Sequence, residues 1–66
     1  MKMNELMNRY NELVIFGMGS TDDEYSKGLL DGRAMECANI LDILYPNHPS
    51  REWVHYKGHE IYGYPV

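Results

Sequence analysis

The stretch from Thr21 to Tyr45, TDDEYSKGLLDGRAMECANILDILY, does most to limit what this chain can fold into. Apolar residues recur in it at Tyr25, Leu29, Leu30, Ala34, Cys37, Ala38, Ile40, Leu41 and Leu44, the spacing of a broad amphipathic helical stripe. Pro46 sets its end, because the residue before a proline is pushed out of the helical region. At its start, Thr21 and Glu24 match the S/T-x-x-E capping box, and Asp22, Asp23 and Glu24 place carboxylates where the helix dipole favours them. Gly28 and Gly32 interrupt the pattern, each at about 1 kcal/mol relative to alanine. Their spacing points to close approach by another helix, with a break at Asp31-Gly32 as the alternative.

Upstream, residues 3–14 (MNELMNRYNELV) put Met3, Leu6, Met7, Tyr10, Leu13 and Val14 in one arc, with Asn4, Glu5, Asn8, Arg9 and Glu12 opposite. Ile15 and Phe16 fall outside that arc, and Gly17 and Gly19 are expected to end the helix in a tight connection. So short a link implies an antiparallel αα-hairpin. Downstream of Pro46, NHPSR carries turn chemistry. EWVHYKGHEIYGY then has the aromatic and β-branched density of strands, divided at Lys57-Gly58. A two-residue turn there puts Val54, Tyr56, His59 and Ile61 on one face and Trp53, His55, Glu60 and Tyr62 on the other. A three-residue loop would shift the pairing. The expected fold is α+β: an αα-hairpin, short helix then long helix, followed by a C-terminal two-stranded antiparallel β-hairpin, with 1–66 as one small domain.

A chain of 66 residues buries only about 60% of its unfolded surface, so it is marginal unless stapled or oligomeric. Its one cysteine excludes an internal disulfide. Cys37 falls on the apolar side of the long helix and reads as a small core hydrophobe in a reducing cytoplasm. The longest apolar run, residues 13–16, is too short to span a membrane, and Glu5 and Glu12 stand where a signal peptide would be apolar. A cytoplasmic setting is expected. The small core, the helix glycines and surplus aromatics favour self-association, most simply as a homodimer.

The net charge of −4 is concentrated in residues 21–45, where six acids face Lys27 and Arg33. An acidic chain does not attract a phosphate backbone, which disfavours nucleic acid as a partner. Glu24, Asp31 and Asp42 fall on one line, but three carboxylates spread over about 27 Å copy DNA poorly. The five methionines read as packing material.

No motif for catalysis or metal binding emerges. His55-x-x-x-His59 straddles the turn and points its rings to opposite faces, and His55 with Glu60 gives two ligands where a structural zinc needs four. His48 lies in the loop. Cys37 has no histidine within helical reach, and GMGST lacks both the spacing and the lysine of a phosphate loop. The expectation is a non-enzyme with no cofactor and no metal.

Arg33 falls among Ser26, Leu30, Cys37, Ile40 and Leu44 on the helical wheel, near the middle of the apolar stripe. Either it snorkels along its methylenes, or it is buried against a carboxylate and specifies one packing. Gly28, Gly32 and Arg33 are therefore marked as packing or dimer contacts. With Val54 and Ile61 turned to the helices, Trp53, His55, Glu60 and Tyr62 face outward, and Tyr64 continues that line. Aromatic anchors with polar tips are the composition favoured at protein interfaces, so these five residues form the expected partner-binding face.

Residues 25–41, YSKGLLDGRAMECANIL, and the ending GHEIYGY resemble small proteins of tailed phages and prophages. The resemblance covers about a third of the chain and carries no activity or site residue with it. It implies a compact protein that binds and modulates a host protein. A small dimeric nucleic-acid-associated regulator, or a structural subunit of a larger assembly, is the alternative.

Overall fold

The computed structural model describes residues 2–19 and 24–66, and their side chains except at positions 19, 24–28 and 30. Two helices, α1 (Met3–Gly19) and α2 (Glu24–Leu44), precede two strands, β1 (Glu52–Tyr56) and β2 (His59–Gly63). The order is the expected α+β one. The capping box of Thr21 and Glu24, the first-turn carboxylates and the surroundings of Gly28 lie outside the described residues.

The helices run antiparallel. Leu6 and Arg9 lie against Cys37 and Ile40 at one end, and Gly17 and Met18 lie against Asp31 and Ala34 at the other. The core forms where Leu6, Met7 and Tyr10 of α1 meet Ala34, Cys37, Ala38 and Leu41 of α2. The three small residues on α2 leave room for the large side chains of α1, so the layer fills without bulky residues on both sides. Leu41 and Leu6 are fully enclosed.

α1 is longer than its periodicity predicts. It continues through Ile15, Phe16 and Gly17 to Gly19 instead of stopping after Val14. A glycine costs a helix only about 1 kcal/mol, and nothing in 15–19 is a proline. Gly17 and Met18 border an open groove with Asp31, Ala34 and Met35, and Phe16 and Met18 are exposed, so these last turns bury little. α2 ends where Pro46 dictates. The Tyr45 amide still reaches the Leu41 carbonyl at 2.8 Å, and the His48 amide then bonds the Tyr45 carbonyl at 2.9 Å, closing a turn with Pro46 in its favoured second position.

The strands pair antiparallel with Trp53 opposite Tyr62, Val54 opposite Ile61, His55 opposite Glu60 and Tyr56 opposite His59. Lys57 and Gly58 turn the chain at φ 47° and 81°, the doubly left-handed geometry of a two-residue hairpin loop. The register is the one the two-residue turn predicts. Ile61 is buried, Val54 and Tyr56 are half-buried, and Trp53, His55, Glu60 and Tyr62 are exposed. The aliphatic face thus packs inward, chiefly against α1.

Two expectations need correction. Tyr64 does not continue the outward line: it is 2% exposed and belongs to the core cluster. Strand alternation holds only while the ladder does, and the ladder ends at Gly63. Arg33 is exposed and not central to the buried stripe. The buried arc of α2 is centred on Ala34, Cys37, Ala38 and Leu41, and one residue is about 100° of helical rotation, which carries Arg33 to the flank. Of the two readings of Arg33, the solvent-facing one holds within the chain. Gly32 is exposed, and a Cβ there would meet nothing within 4 Å, so α1 makes no close approach at that point.

Candidate functional site

The outer hairpin face owes its position to what lies beneath it. α1 presents Asn8, Asn11 and Glu12, a polar i, i+3, i+4 set, to the inner side of the hairpin. The Tyr56 hydroxyl donates to Asn8 Oδ1 at 3.1 Å. The Lys57 ammonium donates to Glu12 Oε1 at 2.5 Å. Asn11, fully buried, donates from Nδ2 to the Tyr64 carbonyl at 2.8 Å and accepts from the Tyr64 amide at 2.9 Å. Arg51, leading into β1, donates to the Tyr10 hydroxyl at 2.9 Å with its guanidinium over the Tyr10 ring. That contact raises the Arg51 pKa further, so its charge is fixed at any working pH.

On this platform Trp53 is 70% and Tyr62 49% exposed, and Tyr62 also borders a groove with Ala38 and Asp42 of α2. The Trp53 and Tyr62 rings meet edge to face, 5.7 Å between centroids at 69°. Such a contact restricts both rings before any partner arrives. His55 and Glu60 stand opposite each other on the same face, both exposed and without an ion pair between them. The structure brings Trp53, His55, Glu60 and Tyr62 together as expected and leaves Tyr64 out.

Tyr64 instead meets the Tyr10 ring edge to face at 4.9 Å and the His48 ring at 5.4 Å. Its burial pushes the phenol above its usual pKa, so it stays neutral. His48, unplaced by sequence, bridges Asp42 of α2 at 2.5 Å through Nε2 and the Pro49 carbonyl at 2.7 Å through Nδ1. Its pKa is raised, first by the Asp42 contact and then by the Pro49 carbonyl. Sequence reading missed Asn11 and His48. The only available signal was the Asn8–Asn11–Glu12 spacing, which also suits a plain solvated face.

Burial holds the Cys37 thiol above its usual pKa, which disfavours the thiolate a nucleophile needs. Among the described residues, no three His, Cys, Asp or Glu side chains are placed to hold a metal ion, and no helix is long and apolar enough to cross a membrane. No family model, curated protein or solved structure matches the chain.

Proposed function

We propose that this chain is a non-enzymatic protein-binding module whose contact face is the outer side of the β-hairpin. One observation carries the reading: a tryptophan and a tyrosine are held edge to face in solvent, on strands whose other side is tied to α1. Rigid aromatic side chains lose little ordering entropy on binding and are the residues most enriched at interface hot spots. Glu60 shares the face of the pair, while the nearby cation Arg51 is engaged with Tyr10. A protein offering an apolar pocket with a neutral or basic rim complements this face, and a phosphate backbone does not. The phage-type resemblance would make the partner a host protein.

The test compares the wild-type chain and Trp53→Ala as bait in a host lysate. The variant should remain folded within about 1 kcal/mol, because most of the side chain already lies in solvent. Any partner retained by the wild type should be lost, a weakening of at least about 30-fold for a central aromatic anchor. Equal capture by both baits would remove the aromatic pair from the interface. Salt-sensitive DNA binding in a gel-shift titration would replace a protein partner with nucleic acid.

A further inference from the structure

A second surface, on the other helix, is organised by a different rule. On the exposed side of α2, Leu29, Arg33, Glu36, Ile40 and Ile43 follow one another at alternating steps of four and three, the a/d spacing of a coiled-coil seam. This seam is uncovered except at Ile40, which packs against the core cluster. Ile43 is 78% exposed and the adjoining Leu44 54%, Leu29, Arg33 and Glu36 are exposed, and Ile40 is half-buried. Neither Arg33 nor Glu36 makes an ion pair with a described residue. Arg33, Glu36 and Ile40 also line the groove between α2 and the Arg9 and Leu13 side of α1.

We propose that this seam pairs α2 with α2 of a second copy of the chain, antiparallel about a two-fold axis. The occupant follows from the order of the residues. An antiparallel pairing that sets Arg33 against Glu36 of the partner subunit sets Glu36 against Arg33 of the partner subunit by the same axis. The same register lays Leu29 against Ile40 of the partner subunit and Ile40 against Leu29 of the partner subunit. The four layers at Leu29, Arg33, Glu36 and Ile40 are then complementary, two charged with opposite signs and two aliphatic, and Ile43 lies beyond them. Among the five seam positions the one cation, Arg33, balances the one acid, Glu36, while Asp31 and Asp42 lie off the seam. Buried polar positions in a seam are an attested means of fixing register and partner. The pairing leaves the hairpin faces free, so the dimer presents the Trp53–Tyr62 pair twice.

Sedimentation equilibrium of the wild type, Arg33→Glu, Glu36→Arg, the double charge swap and an equimolar mixture of the two single variants tests this. The wild type should approach twice the 7.7 kDa chain mass at high micromolar concentration. Each single reversal sets like charges opposite each other and should return the chain mass, with circular dichroism unchanged. The double swap restores complementary layers and should dimerise, and so should the mixture, as a heterodimer. A wild type that stays at the chain mass throughout leaves the seam to another helix and overturns the proposal. Single variants that remain dimeric, or a folded double swap that remains monomeric, overturn it equally.

Discussion

Asn11 gives Tyr64 what a further strand would give: a donor for its carbonyl and an acceptor for its amide, both within 2.9 Å. A buried backbone pair left without such partners costs about 1–3 kcal/mol per group. Gly63 is part of the same arrangement for reasons of space. Its φ is not left-handed, but a Cβ there would overlap Asn11 Oδ1 and crowd Ile61 Cδ1. We therefore expect Asn11→Ala and Gly63→Ala each to lower stability by about 2–3 kcal/mol in urea unfolding. The double variant should cost clearly less than the sum, because removing the Asn11 amide vacates the volume the new methyl needs. Strict additivity would mean that the two residues do not share this contact.

The elements differ in how far they could be read from sequence, and the difference has a physical cause. The β-hairpin was legible as two strands divided at Lys57-Gly58, from a period of two and a glycine at the turn, but its register stayed open between a two- and a three-residue loop until the structure showed the former. The end of α2 was legible because proline acts on the residue before it. The last turns of α1 were not, since Gly17 and Gly19 read as a helix end although a glycine only weakens a helix and does not stop it. The four outward residues of the candidate site followed from the register, whereas Tyr64 depends on a side-chain clamp 53 positions away that no periodicity encodes. The turn supports a prediction at this scale. Gly58 has φ 81° with open space around it, so Gly58→Ala meets no clash and should cost only the left-handed penalty, about 1–2 kcal/mol. Because the hairpin is fastened to α1 along its inner face, that loss should appear in the global thermal transition. A separate early melt of the hairpin would show instead that it is only loosely attached.

The molecule as a whole is joined at His48, where the C-terminal end of α2, the loop beyond it and the last residues of the chain meet. The Nε2 proton is donated to Asp42 of α2 and the Nδ1 proton to the Pro49 carbonyl of the loop, so the arrangement requires both protons and hence the imidazolium. Facing it are the edge of the neutral Tyr64 ring and the Arg51 guanidinium, which opposes the charge and is itself held by Tyr10 of α1. The Asp42 contact outweighs that opposition and raises the His48 pKa above its usual value of about 6.5. The folded state thus binds this proton more tightly than the unfolded state does. By linkage, the stabilisation is fully present below about pH 6.5 and is lost as pH rises through the higher folded value. Urea midpoints of the wild type should accordingly fall between about pH 6.5 and the folded value and then level off. His48→Gln can still bond one neighbour but has no proton to lose, so its midpoint should lie lower at pH 6 and stay flat across the same interval. His55 and His59 remain in the variant, both exposed on the hairpin, and serve as the internal control. If the two proteins lose stability in parallel as pH rises, the dependence belongs to those histidines and the link through His48 contributes nothing.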